Sequence, residues 1–229
     1  FDNGIRIYGK SVFLRQLYDF LSGAVFLKEA AFCCLYTEDD VVKDAIRNAI
    51  IAEYADEYDY EELKTDIAVP EGLTAYYNDR NAQGDNRDTT YLMTRNFTLN
   101  SDDDFIVVYG VNHTETGNAR YSNAILYGRP MLNGVCSVYD SLFKGSADQY
   151  LGNDCENPDQ YYVYKMASTK MDDYTAVIEY STDNEKGKFY GVDNESNLLL
   201  AFRAYLDETN IGPSYYEIIY DRAIVFHKK

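Results

Sequence analysis

Apolar and polar positions change period along this chain. From Ser11, the residues Leu14, Leu17, Tyr18, Leu21, Val25 and Ala31 fall at spacings that share one stripe of a helix, with Gly23 as a point of interruption. Thr37-Glu38-Asp39-Asp40 then sets a capping residue ahead of an acid at the third following position and a negative first turn, which marks a helix start. Val42, Ile46, Ala49 and Ile50 supply the buried face of that helix, which is expected to run to about Tyr54 or Leu63. The acidic, tyrosine-rich stretch Glu53 to Glu62 falls on or just after that helix; its charges could attract a cation, but the leading reading is a solvated face. Val69-Pro70-Glu71-Gly72 is a turn, and Pro70 ends any helix before it.

Beyond that turn the period falls to two. Thr89 to Leu99 alternates with Tyr91, Met93, Phe97 and Leu99 on one side and Thr90, Thr94, Asn96 and Thr98 on the other, as a half-buried strand does. The clearest pair follows. Phe105 to Tyr109 is a β-branched and aromatic run, His113 to Asn118 is polar, and Ala119 to Tyr127 is again strand-like, which predicts a β-hairpin. Further strands are expected around Val135 to Tyr139, Tyr161 to Met166, Tyr174 to Tyr180, Leu198 to Leu206 and Arg222 to His227, with Ser181 to Lys188 a polar turn. This pattern predicts an α+β protein: a helical N-terminal region, 1–69, followed by a β-rich domain, 70–229.

Charge narrows the partners. Of 229 residues, 38 are acidic and 21 basic, a formal net charge of -17, which repels phosphate backbones and anionic membrane surfaces. Cations, neutral glycans and basic proteins remain. No apolar run is long enough to span a bilayer, since Val12 to Phe32 is broken by Arg15, Gln16, Asp19, Lys28 and Glu29. The chain contains 24 Tyr, 11 Phe and no Trp. Tyrosine suits half-covered strands, and it suits surfaces that hold sugars or other subunits because it buries a ring while keeping a hydroxyl.

The sequence resembles, over residues 76–130, a pattern in uncharacterised bacterial secreted proteins that have an Asn-x-Asp-Thr-x-Tyr entry to a β-sandwich. The matching residues are Asn86-Arg87-Asp88-Thr89-Thr90-Tyr91, then Val107-Val108-Tyr109-Gly110, then Arg120-Tyr121-Ser122-Asn123 and Tyr127. The resemblance implies an antiparallel sandwich or jelly-roll core and an exported protein. It carries no established activity, so it transfers no catalytic residue.

A chain that starts at Phe1 is either processed, as removal of a secretory signal would explain, or a fragment, and Asn96, Asn112 and Asn194 are Asn-x-Ser/Thr acceptors in a secretory pathway. Four cysteines permit three pairings. Cys33 and Cys34 are adjacent and would form a strained ring, whereas Cys136 and Cys155 bracket a loop whose closure contributes about 3 kcal/mol. A Cys136–Cys155 bridge is therefore expected in an oxidising compartment; the alternative is four reduced, mostly buried thiols.

The candidate chemistry is sparse. There is no Gly-x-Ser-x-Gly elbow, P-loop or zinc motif, and only two histidines. The loop between the two clearest strands gathers Asn112, His113, Glu115 and Arg120, with Tyr121 beside them, so Asn112, Arg120 and Tyr121 are candidate binding residues. A catalytic alternative uses His113 as general base with Glu115 or Asp88 as its orienter, in a hydrolase acting on a neutral or cationic substrate. Asp102-Asp103-Asp104 reads first as a turn and second as oxygen ligands for a structural calcium ion; no other cofactor is expected. The leading expectation is a non-enzymatic extracellular or cell-surface protein that uses its tyrosine-rich β domain for self-assembly as a homo-oligomer, or to bind a glycan or another extracellular protein. Thr89 to Leu99 and Arg222 to His227 are the candidate edge strands for such pairing.

Overall fold

The computed structural model describes residues 38–68, 75, 78–81, 88–153, 155–181, 192–193, 195–209, 212–213, 215 and 217–229. The first expected helix, Cys33 and Cys34, the turn at 69–72, Asn194 and most of the turn at 181–188 lie outside them. The described chain is α+β and mostly β: one α-helix, α1 (Glu38–Tyr54), and ten strands in two five-stranded sheets.

The helix behaves as its periodicity predicts. Ile46 and Ile50 are fully buried, with Val42 and Ala49 packed beside them. Each isoleucine removed from water contributes on the order of 1.5–3 kcal/mol. The helix stops at Tyr54, at the nearer of the two expected ends, because the next residues are taken up by a strand.

That strand, β1 (Tyr58–Leu63), takes up the part of the acidic stretch that follows the helix. It pairs antiparallel with β10 (Arg222–Lys228), while β2 (Thr65–Ile67) pairs with β3 (Thr89–Thr94). Chain from both sides of the expected 69/70 boundary therefore enters each sheet. The acids of this stretch are solvated as expected, but on a sheet edge. Glu61 faces Arg95, Glu62 faces Arg47, and Glu57 holds Lys228 at 2.5 Å. Charge on an outermost strand disfavours pairing with a foreign edge.

The remaining strands are β4 (Phe105–Val111), β5 (Tyr121–Gly128), β6 (Asn133–Tyr139), β7 (Tyr161–Ala167), β8 (Thr175–Val177) and β9 (Leu198–Tyr205). The first sheet has the order β1-β10-β4-β7-β8 and the second β2-β3-β9-β5-β6. The expected hairpin is thus corrected to an arch. β4 pairs with β10 and β7, β5 pairs with β6 and β9, and residues 112–120 carry the chain from one sheet to the other. The cause is burial: all seven residues of β4 are buried, so both of its faces need a covering layer. The candidate edge strands are corrected too, since β3 and β10 each lie between two neighbours. β8 runs parallel to β7, a single exception to the expected antiparallel order.

Alternate residues of the first sheet serve two cores. Ile106, Val108, Tyr164, Met166 and Val225 join Leu92, Ala124, Leu126, Val138, Leu200 and Phe202 of the second sheet in one cluster. Phe105, Val107, Val163, Ile224 and Phe226 point the other way and pack with Ile46 and Ile50 of α1. β3 reverses its expected phase: Thr90 and Thr94 are buried with Leu92, and Tyr91 and Met93 stay half-exposed. The threonines tolerate burial because Thr90 Oγ1 donates to the Pro213 carbonyl at 2.6 Å and Thr94 Oγ1 accepts from Leu200 N at 3.1 Å. After β3 ends at Thr94, Phe97 and Leu99 return to the core.

Candidate functional site

The arch after β4 ends beside a small polar chamber. Asn112 N donates to the Gln160 carbonyl at 2.8 Å, and Asn112 Oδ1 accepts from Thr114 Oγ1 at 2.7 Å, which turns the chain inward. His113 follows with 2% exposure. Its Nε2–H donates to the Ile219 carbonyl at 3.2 Å, and since a carbonyl only accepts, Nδ1 is left as a bare acceptor, without a partner. Burial pushes the imidazole down to about 4, against the bond to Ile219 and the charge of Asp39, so at neutral pH the ring is uncharged.

Across the chamber lies the Asp221 carboxyl, at the entry to β10. Tyr162 Oη donates to its Oδ1 at 2.6 Å. Burial drives this carboxyl up to about 6, although the Tyr162 bond and the charges of Lys43 and Arg222 pull the other way. β4 comes so close that a Cβ added to Gly110 would lie 2.5 Å from Asp221 Oδ1. The Ser122 hydroxyl, also buried, has no partner. His113, Ser122, Tyr162 and Asp221 enclose a cavity of about 10 Å³, which is space for one water molecule and for no substrate.

The expected catalytic set does not form around that ring. Glu115 and Asp88 are exposed, and neither is bonded to the His113 ring, whose one hydrogen-bond partner is the Ile219 carbonyl. Arg120 is exposed and clamps the chain after β9 through Nε to the Asp207 carbonyl at 3.2 Å and Nη2 to the Glu208 carbonyl at 3.1 Å. Asn112, expected both as a binding residue and as a glycan acceptor, is 1% exposed, with its side-chain oxygen committed to its own turn. Asn96 is exposed.

The Asp cluster separates. Asp102 and Asp103 are exposed, whereas Asp104 is buried and accepts from Asn100 N, Ser101 Oγ, Lys228 N and His227 Nδ1, the last at 2.6 Å. Burial alone would raise this carboxyl, but those four bonds outweigh it and hold it below the usual range. Among the described residues no group of three or more His, Cys, Asp or Glu side chains is placed to hold a metal ion. The expected bridge is also corrected. Cys136 and Cys155 are free thiols, and they pack on different cores, Cys136 on the cluster shared by the sheets and Cys155 on the one beneath α1. Burial pushes the Cys136 thiol up to about 12.

Tyr121, the third candidate binding residue, belongs to a larger feature. Strand register sets Tyr91, Arg203, Asn123 and Tyr139 in one row across β3, β9, β5 and β6. Tyr205 and Tyr121 lie in the row before it, Ala201 and Ile125 in the row after it, and Tyr127 in the next; all of these face away from the shared core. Arg203 sits among the rings, 5.6 Å from the centre of Tyr91 and 5.9 Å from that of Tyr127, and donates through Nη2 to Tyr127 Oη at 2.8 Å. Asn123 Nδ2 donates to Tyr121 Oη at 3.0 Å, and the Tyr121 and Tyr205 rings lie 5.7 Å apart. Beneath the rings, the cross-strand neighbours Asn123 and Arg203 hold one acceptor, Oδ1, and one donor, Nε, that have no partner. Tyr121 and Tyr139 are 39% and 41% exposed, so the face meets solvent. The row that assembles these rings is not legible in the sequence, because it depends on register between distant strands.

No protein-family model matches the chain, and no curated protein matches it. One solved structure, an uncharacterized protein from Burkholderia cenocepacia, is similar at a TM-score of 0.40 and 9% identity, over 97% of this chain and 48% of that one. The chain thus spans about half the length of that protein.

Proposed function

We propose that this is a non-enzymatic, exported protein whose two sheets form a sandwich, and that the tyrosine-bearing face of its second sheet binds a neutral glycan. The observation that carries the reading is the set of Tyr91, Tyr121, Tyr127, Tyr139 and Tyr205 around Arg203 and Asn123, on a face that remains in part open to solvent. Aromatic rings offer apolar area at low entropic cost, and their hydroxyls, with the guanidinium, supply the hydrogen bonds that a sugar's alternating apolar and hydroxylated faces require. A net charge of -17 favours an uncharged ligand over a polyanionic one. The one-water chamber at His113 supports no substrate, so the reading assigns that histidine a structural role.

Isothermal titration with a panel of neutral oligosaccharides tests this. Saturable binding is expected, weakened about tenfold in Tyr127→Ala and in Tyr205→Ala. Absence of saturable heat across the panel overturns the glycan reading. If light scattering on the same samples then shows mass rising with concentration, and the two variants abolish that rise, the ligand of this face is a second copy of the chain.

A further inference from the structure

The first sheet carries a second, unrelated feature on its helix side. Between α1 and strands β1, β4 and β10 lies an open cleft of about 390 Å³, a size suited to a small molecule. Four cations line it, Lys43 and Arg47 from the helix, Lys64 just after β1 and Arg222 at the start of β10, together with three carboxylates, Asp40 and Asp44 of the helix and Glu62 of β1. The Tyr109 phenol of β4 is also part of the lining.

In a chain with 38 acidic and 21 basic residues, cations are expected to find carboxylates. Arg47 does, since Glu62 engages it through both oxygens. Lys64, whose charge acts on Glu62 without a direct contact, has no ion-pair partner among the described residues. Arg222 has none either. Its Nη1 donates to Thr65 Oγ1 at 2.9 Å and to the Asp221 carbonyl at 3.2 Å, and its Nε and Nη2 donors are unspent. Lys43 is 6% exposed, and its ammonium donates to the Tyr220 carbonyl at 3.2 Å and reaches Asp40 only at 3.4 Å. Burial and then the nearby charge of Arg222 lower the basicity of Lys43, against its ion pair with Asp40 and the charge of Asp221, so Lys64 and Arg222 are the cations of the lining with no carboxylate bonded to them among the described residues.

We propose that this cleft binds a small dianionic ligand through a phosphate or dicarboxylate group, held by Lys43, Lys64 and Arg222. A doubly charged oxyanion there takes the unspent guanidinium donors as a planar fork and the two ammonium groups as point charges.

The test uses the full chain in three buffers of matched ionic strength, containing chloride, inorganic phosphate or succinate. Chloride controls for general screening of the excess negative charge. Phosphate, succinate or both should raise the melting temperature above the chloride value, and the stronger of the two identifies the oxyanion class. Titration calorimetry with that anion should give an affinity about tenfold weaker in Lys64→Gln and still weaker in Lys64→Glu. Arg222→Met should abolish binding; if that variant does not fold, the two Lys64 substitutions on the exposed rim decide alone. Equal melting temperatures in all three buffers, or an unchanged affinity in Lys64→Glu, overturns the proposal.

Discussion

His113 and Asp221 face the same one-water chamber, and their protonation energies oppose each other. For Asp221 the folded value of about 6 lies above the ordinary 3.8, so between those limits the folded chain holds the extra proton. Its contribution is fully present below pH 3.8 and is lost as pH rises through 6. With 1.36 kcal/mol per unit, that loss amounts to about 3 kcal/mol. For His113 the folded value of about 4 lies below the ordinary 6.5, so between those limits the unfolded chain holds the extra proton. Its contribution is present above pH 6.5 and is lost as pH falls through 4, again by about 3 kcal/mol. In the native protein the two slopes offset each other over roughly pH 4 to 6.5. Urea unfolding across this range, repeated in Asp221→Asn and His113→Gln, separates them, because subtracting each variant from the native curve cancels all other titrating groups. Asp221→Asn should gain stability relative to the native protein toward neutral pH and lose that advantage toward pH 4. His113→Gln should do the reverse, comparing best with the native protein at acid pH. Difference curves flat to within about 0.5 kcal/mol would refute the reasoning, as would slopes of the same sign.

Three further outcomes follow from the packing. Gly110→Ala drives a methyl into the Asp221 carboxyl and should cost about 1–3 kcal/mol in urea unfolding, whereas the same change at exposed Gly152, which has open space around it, should cost under about 1 kcal/mol. Peptide mapping without reduction should find no Cys136–Cys155 cross-linked peptide, and alkylation of the native protein should be slow at Cys136, where burial holds the thiol protonated. Expressed in a secretory host, the protein should carry glycan at Asn96 and none at Asn112, as read by mass spectrometry after deglycosylation in heavy-oxygen water.

What could be read from residues alone divides along a physical line. α1 was legible because its cap, its negative first turn and the positions Val42, Ile46, Ala49 and Ile50 are local, and strands β9 and β10 because short apolar runs end at recognisable turns. Partner choice was not. A hairpin and an arch share the same two strands and polar connection, and they differ only in which distant segments, β7 and β10 or β6 and β9, supply the ladder. The phase of β3 misled because counting hydrophobic side chains ignores that a threonine with a satisfied hydroxyl can take an interior position. Of the site residues, His113 could be placed only in a polar connection; its burial and its opposition to Asp221 depend on Gly110 and Ile219, which sit on other elements.

The order β1-β10-β4 also governs when this sheet can be finished. Strand β10 fills the gap between two strands that leave the ribosome long before it, so until Arg222–Lys228 is made, β1 and one side of β4 have no ladder partner. Non-local pairing of this kind slows folding, and an open apolar edge invites association with other chains. The nascent protein therefore passes through a stage at which its most hydrophobic strand offers a row of unbonded amides and carbonyls. A chain halted before Arg222 stays at that stage, a substrate for holding chaperones and a seed for aggregation.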